Sequence, residues 1–317
     1  MKPALIVATL AAFSISSVAQ AATAPAIGAN RPTPASTFSV GGMRVEKFGS
    51  GDPALIFIPG LSSGSWVWDS QIPEFSATHA VYVVTLPGFD GVPPAKFSPP
   101  LIDQADANVV QLIQQEHLAK PILIGHSLGG FLAIRLAEEH SDLLRGIVTV
   151  DGLPVFPTMV QSTADQRKAA ADQIATSVRL STPQEFAQDN ARTIAMMVTD
   201  PTAAAQVAAL TIKVDQASVA EYSDEMFSAD LRPSLGKITI PVLVVAPVPA
   251  KVPPTYPQFM QGMTPAQLET TFVGFDKTLF TGAPNVTVVP IPNSAHFAMI
   301  DQPAALTKAI ADFIGKL

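Results

Sequence analysis

The sequence predicts an α/β fold, with a doubly wound, mostly parallel sheet that carries an inserted helical cap. Three observations favour this fold class. Short, nearly continuous apolar runs recur along the chain, stretches with helical periodicity separate them, and one long stretch holds helical patterns without any strand-like run. Apolar runs without alternation are typical of strands that are buried on both faces. Strands that alternate with helices predict a doubly wound sheet.

The predicted elements follow in chain order. Residues 38–48 alternate in polarity and turn at Gly41-Gly42, which indicates an opening hairpin. Helical spacing predicts helices over 102–116 and 128–139, and a last helix from Pro303 to Ile314 that Asp301 would cap. Six apolar runs predict buried strands, at 54–58, 80–84, 121–124, 146–150, 241–245 and 286–291.

The long stretch without strands defines the predicted domain organisation. Residues 153–235 contain Ala-rich helical segments, and Thr182-Pro183-Gln184-Glu185 is a capping-box pattern with proline at the first helical position. We interpret 153–235 as a helical cap that is inserted into a core formed by 38–152 and 236–317. A single domain of this size can bury a substantial core.

The N-terminus predicts export. Lys2 precedes a short apolar run from Ala4 to Phe13, and Ala19-Gln20-Ala21 fits a cleavage site, so 1–21 has the pattern of a cleaved secretory signal peptide. Residues 22–37, rich in Ala, Pro and Thr, predict a loose leader. We therefore expect a periplasmic or extracellular protein without a stable membrane anchor after processing; an uncleaved N-terminal anchor is the alternative. The chain has no cysteine, so it forms no disulfide and carries no lipoprotein attachment.

Composition excludes two further classes of protein. Hydrophobic residues make up 48% of the chain and charged residues 14%, which is unlike a disordered protein. Lys and Arg number 19 against 26 Asp and Glu, whereas a nucleic-acid binder needs a surplus of cations. The sequence has no Gly-rich phosphate loop, no metal-spaced His cluster and no dinucleotide fingerprint, so we expect neither a cofactor nor a metal.

The strongest chemical signal is the turn Gly125-His126-Ser127-Leu128-Gly129. A Gly-x-Ser-x-Gly turn holds the serine in a strained conformation that exposes its hydroxyl between a strand and a helix. Here an apolar strand pattern precedes the turn and an apolar-periodic helix follows it. Ser127 is therefore the predicted nucleophile, and a Gly-rich turn with a structural serine is the alternative.

The chain after the leader resembles the α/β-hydrolase superfamily, in its capped, serine-nucleophile branch of esterases and lipases. Residues 58–61, 86–91 and 230–243 resemble the family's oxyanion loop, its turn after the fourth strand and its return from cap to sheet. The resemblance implies an oxyanion hole formed by the backbone N–H groups of Leu61 and Leu128. A serine nucleophile distinguishes the chain from the dehalogenase and epoxide-hydrolase branches, which attack with Asp.

His296 is the predicted general base. The segment Ser294-Ala295-His296-Phe297 follows the last strand pattern, as the family's histidine loop does. A neutral imidazole can take the serine proton and return it to the leaving group. The other four histidines are interpreted as surface or capping residues, at positions 79, 117, 126 and 140.

The carboxylate that would orient His296 does not stand at the position usual in this family. Most of the family carries it after the seventh strand, but 245–250 holds no Asp or Glu. A minority carries it after the sixth strand, where Asp151 stands directly at a strand end and keeps the order serine, acid, histidine. Asp151 is the predicted acid; a role for Asp151 as a cap of the following turn remains open. Asp276 is the alternative acid.

These residues predict a secreted serine hydrolase that cleaves carboxylic esters through an acyl-enzyme intermediate. The expected partner is a small-molecule ester with an apolar acyl or aryl part, and the oligomeric state stays open. Apolar cap residues either line that pocket or form the cap's own core: Phe186, Met196, Met197, Met226 and Phe227. A lactonase, amidase, perhydrolase or C–C hydrolase would use the same triad, and the fold also permits a catalytically idle binding protein. The segment 251–281 either borders the active site or is a surface elaboration.

Overall fold

The sheet runs through the middle of the molecule. The computed structural model describes residues 26–29, 31–98, 100–252 and 258–317. In those ranges eight strands form one sheet in the order β1-β2-β4-β3-β5-β6-β7-β8. The strands are β1 (Ser36–Val40), β2 (Met43–Phe48), β3 (Leu55–Ile58), β4 (Val81–Thr85), β5 (Ile122–His126), β6 (Gly146–Val150), β7 (Val242–Val248) and β8 (Val286–Pro292).

Strand direction confirms the predicted fold class. The hairpin strands β1 and β2 pair antiparallel, β2 pairs antiparallel with β4, and every later pair is parallel. All six apolar runs form strands. The strands β3 to β7 are buried along their whole length, whereas the edge strand β8 is partly exposed. The prediction of a buried strand is therefore confirmed for the five central strands, whose two faces are both covered, and is wrong for 286–291, because β8 forms the edge of the sheet.

Helices cover the two faces of the sheet and create a core on each. Alternate side chains of β3 enter different cores: Ile56 and Ile58 pack with α2 and α3, and Leu55 and Phe57 pack with α1 and α10. The helices are α1 (Ile72–Phe75), α2 (Leu101–Gln115), α3 (Leu128–His140), α4 (Ala164–Leu180), α5 (Pro183–Met197), α6 (Pro201–Thr211), α7 (Gln216–Ser228), α8 (Pro265–Leu279), α9 (Ala298–Asp301) and α10 (Pro303–Ile314). None of the described helices combines the length and apolarity that crossing a bilayer requires.

The helical segment between β6 and β7 contains α4 to α7. Helix α4 packs on α7 and α5 packs on α6. Thr163 and Thr182 begin α4 and α5 with reciprocal capping boxes, which satisfy backbone donors that a helix start otherwise leaves free. The Leu231 N–H donates to the Pro154 carbonyl at 2.8 Å, so the segment leaves and re-enters the sheet layer at one place.

The N-terminal boundary differs from the prediction of a loose leader over 22–37. Strand β1 already begins at Ser36, and two of the described residues before it, Ile27 and Arg31, bind the body of the protein. The Ile27 N–H donates to the Gln206 side chain at 2.8 Å, and the Arg31 guanidinium pairs with Asp69 and with Glu46. The prediction is wrong here because composition alone does not reveal such long-range ion pairs. The predicted signal peptide, 1–21, lies outside the described residues.

Candidate active site

Ser127 lies in the turn that joins β5 to α3, with a φ of 51°. A side chain in this left-handed region is strained, and such strain persists only where the surroundings enforce it. The two glycines that flank the turn, Gly125 and Gly129, are required because neither position has room for a side chain. A Cβ atom at Gly125 would overlap the Gly129 carbonyl, and one at Gly129 would overlap the Ile58 carbonyl. The Ser127 N–H donates to the Val150 carbonyl at 3.0 Å, which ties the turn to the end of β6.

Asp151 and His296 form a hydrogen-bonded pair near this turn. Asp151 directly follows β6, and its Oδ2 lies 2.5 Å from His296 Nδ1. A carboxylate only accepts, so Nδ1 carries the proton and Nε2 of a neutral imidazole keeps its lone pair. The side chains are 32% and 22% exposed, respectively, so water reaches both members of the pair. The arrangement can orient an imidazole and stabilise its protonated form.

The backbone of the loop after β3 passes close to Ser127. A Cβ atom at Gly60 would lie 3.1 Å from Ser127 Cβ, and Leu61 follows at once. Leu128 is the first residue of α3, where a helix leaves its N–H groups without an internal acceptor. In the described part of the chain, neither the Leu61 nor the Leu128 N–H donates to a backbone carbonyl. The backbone of both residues therefore lies beside the serine.

His126 has a structural role that sequence reasoning missed. It is buried, its Nε2 donates to the His296 carbonyl at 3.0 Å, and the two rings lie 4.6 Å apart. Burial, and then the charge of His296, hold the pKa of His126 well below its ordinary value. Its interpretation as a surface or capping residue is therefore wrong. The signal was its place as the last residue of β5, a strand that is buried along its whole length.

A cavity of about 420 Å³ opens onto these residues. Ser127, His296, Asp151 and Leu61 line it together. Most of its remaining wall is apolar and much of it comes from the helical segment: Leu153, Val155, Phe156, Ile194, Met197, Met226 and Phe227. Among the lining residues that the structure describes, none is Lys or Arg.

The apolar residues expected to line a pocket are divided between two environments. Met197, Met226 and Phe227 line the cavity beside Ser127. Met196 lines a neighbouring cavity of about 260 Å³ that also reaches Asp151 and His296. Phe186 instead packs against the core of the protein. Phe272 of α8 lines the same neighbouring cavity, so the segment 251–281 borders the site through that helix.

Asp276, the alternative acid, is not the carboxylate that binds His296 Nδ1. It lies on α8 and is only 6% exposed. Burial raises the pKa of Asp276 to about 8, and the negative charge of Asp151 adds to the rise. Asp276 is therefore a buried neutral acid at pH 7, close enough to Asp151 to feel its charge.

The state of Asp276 predicts how stability changes with pH. Its ordinary pKa is 3.8 and its pKa in the folded protein is about 8, so between these values folding takes up a proton. The contribution of the protonated Asp276 to the free energy of unfolding is fully present below pH 3.8. It is lost as the pH rises through about 8. We expect Asp276→Asn, which cannot ionise, to raise the melting temperature above that of the wild type by a margin that grows from pH 4 to pH 8. Thermal unfolding across that range measures the margin; a constant or shrinking margin would contradict it.

The expectation that Asp301 caps the last helix is wrong. Helix α10 begins at Pro303 as predicted, but Gln302 is its N-cap residue and no side chain caps it. The Asp301 carboxylate instead accepts hydrogen bonds from the Ala295 N–H and from Thr199. The pattern of Asp followed by proline suggested a local cap, whereas both partners lie outside that helix.

Within the described ranges, no group of three or more His, Asp or Glu side chains is arranged to hold a metal ion.

The comparisons with known proteins agree with this fold. The model of the alpha/beta hydrolase family matches residues 55–309. A relative by sequence is the pimeloyl-[acyl-carrier protein] methyl ester esterase of Yersinia enterocolitica, 22% identical over 84% of this chain and 94% of the relative. A similar structure is a thermophilic esterase from Thermogutta terrifontis, with a TM-score of 0.69 and 19% identity over 89% of this chain and 99% of that one. The enol-lactonase of Burkholderia xenovorans LB400 aligns with a TM-score of 0.67 and 20% identity, covering 88% of this chain and 100% of that one. Because the family model spans well over half of the sequence, the chain belongs to the alpha/beta hydrolase family.

Proposed function

We propose that this protein is a secreted serine hydrolase that cleaves carboxylic esters, with Ser127 as nucleophile, His296 as general base and Asp151 as the acid that orients it. The observation that carries the proposal is the 2.5 Å contact between Asp151 and His296 at the cavity where the strained Ser127 turn opens. The signal-peptide pattern of residues 1–21 supports secretion. Relatives by sequence carry the name of a methyl ester esterase, which supports the reaction class.

In the proposed mechanism, Ser127 Oγ attacks the ester carbonyl carbon while His296 Nε2 takes the hydroxyl proton. The carbonyl oxygen becomes an oxyanion that accepts hydrogen bonds from the Leu61 and Leu128 N–H groups. Each such donor is worth roughly 3–4 kcal/mol in the transition state. The C–O bond then breaks, and the leaving alkoxide takes the proton from His296.

The second half of the reaction restores the enzyme. A water molecule gives a proton to His296 Nε2 and attacks the acyl carbon, and the second tetrahedral intermediate releases the carboxylic acid as Ser127 Oγ recovers that proton. Through both halves, the negative charge of Asp151 stabilises the imidazolium that forms twice. No cofactor enters this scheme.

The cavity wall supports a neutral substrate with an apolar acyl or aryl part. Side chains such as Met226, Phe227 and Val155 provide apolar surface, and an apolar group gains about 25 cal/mol per Å² on leaving water. A substrate carboxylate would meet no Lys or Arg among the described lining residues, and it would be near the negative charge of Asp151. We therefore propose that charged acyl groups are disfavoured.

A panel of chromogenic esters with acyl chains of increasing length tests the proposal. We expect hydrolysis to be fastest for acyl groups that fit within a cavity of about 420 Å³ and to fall for long chains. An acyl group of matched length that ends in a carboxylate should be cleaved at least tenfold less efficiently than its neutral counterpart. Preference for long chains would indicate a lipase, and rates no higher than those of Ser127→Ala would contradict ester hydrolysis.

A further inference from the structure

The Asp301 carboxylate joins the loop that carries His296 to the helical segment above the sheet. Its Oδ2 accepts the Ala295 N–H at 2.8 Å, and its Oδ1 accepts both the N–H and the hydroxyl of Thr199 at 2.8 Å each. Ala295 immediately precedes the base. Thr199 lies 102 positions away from Asp301 in the chain, in the corner between α5 and α6.

The same corner forms part of the substrate cavity. The Phe297 N–H, on the other side of His296, donates to the Met197 carbonyl at 3.1 Å. Met197 lines the cavity beside Ser127 and His296. Val198 and Phe297 are both buried and belong to the same apolar cluster. Base and cavity wall are therefore connected on both sides of His296.

Hydrogen bonds to a carboxylate are stronger than hydrogen bonds between neutral groups, and the Asp301 carboxylate accepts three. The Ala295 N–H is the donor of the peptide group next to that of His296, so fixing it limits how the base can tilt. A small displacement of a catalytic group lowers the reaction rate strongly, because proton transfer requires hydrogen-bond distance and alignment.

We propose that Asp301 is a positioning residue that couples the α5–α6 corner of the helical segment to His296, so that placement of the cavity wall and placement of the base depend on each other. This inference rests on the proposed function, since its readout is ester hydrolysis. Asp301 acts through the backbone before His296 and contacts neither the substrate nor the reacting atoms.

Asp301→Asn tests the coupling with little change in volume. An amide has one acceptor oxygen and one donor nitrogen, so the nitrogen must face either the Ala295 N–H or Thr199, and one connection is lost. We expect kcat to fall by about tenfold or more, with fluorophosphonate labelling of Ser127 slowed in parallel. Asp312→Asn on α10 is the matched control, because it removes an exposed ion pair with Lys308 outside the site.

Thr199→Val provides a second test that leaves the hydrogen bond between Asp301 and Ala295 intact. Valine keeps the backbone donor and the branched shape but removes the hydroxyl, so we expect a loss in kcat of about twofold to fivefold. The double variant should lose less than the product of the two single losses, because both substitutions break the same connection.

All rates are measured well below the melting temperature of each variant, so that instability alone does not lower kcat. A wild-type kcat in folded Asp301→Asn, or losses that simply multiply in the double variant, would overturn the coupling. If Asp301→Asn does not fold, Thr199→Val decides: an unchanged kcat overturns the inference and a reduced kcat at an unchanged melting temperature supports it. A wild-type protein that hydrolyses no ester and does not react with fluorophosphonate would instead refute the proposed function.

Discussion

Ser127→Ala is expected to lower kcat for ester hydrolysis by roughly 10⁶-fold, because removing a nucleophile removes the covalent pathway that the other groups serve. The fold should persist, since alanine is smaller than serine and must adopt the same backbone conformation, with a φ of 51°. The measurement is turnover of the best chromogenic ester, with thermal unfolding as the check on folding.

Ser70→Ala is a suitable control for that experiment, since this serine is exposed and does not line the cavity beside Ser127. It should hydrolyse esters at the wild-type rate. Wild-type turnover by a clean preparation of Ser127→Ala would show that the reaction proceeds elsewhere.

Asp151→Asn is expected to lower kcat by about 10³- to 10⁴-fold. Asparagine cannot neutralise the imidazolium, and its amide can turn its N–H₂ toward His296 and favour the wrong tautomer. The Asp151 side chain is 32% exposed, so water screens part of its charge. We therefore expect a smaller loss of kcat than a fully buried carboxylate would cause. The measurement is kcat at neutral pH.

Asp276→Asn is the matched control for Asp151→Asn, because it makes the same chemical change at the neighbouring buried carboxyl. Asp276 does not hydrogen-bond His296 and is neutral at pH 7, so its substitution should leave kcat within about threefold. A large loss in Asp276→Asn, with little loss in Asp151→Asn, would show that Asp276 is the acid.

The positions of the strands could be predicted because their sequence signal is local. Five central strands are buried on both faces, and each is a short apolar run bounded by polar or turn residues. The last helix was predicted at its observed bounds, Pro303–Ile314, because proline marks the start and helical spacing marks the extent.

Features that depend on distant partners could not be predicted in this way. Asp301 looked like a local cap, yet its Thr199 partner is 102 positions away. The ion pairs of Arg31 join an N-terminal segment of low complexity to Asp69 and Glu46. The sequence pattern also left two candidate acids open, and the hydrogen bond to His296 Nδ1 identifies Asp151 as the one that pairs with the histidine. Motif spacing predicts which residues approach one another, whereas hydrogen-bond partners depend on the folded geometry.

Labelling with a fluorophosphonate tests the central claim most directly. A nucleophilic serine attacks phosphorus and expels fluoride, which leaves a stable covalent adduct that peptide mass spectrometry can locate. Nucleophilic catalysis at the Gly125–Gly129 turn predicts one adduct per chain, on Ser127, and none in Ser127→Ala. An active preparation whose Ser127 stays unmodified at saturating reagent, or whose adduct lies on another residue, would contradict it.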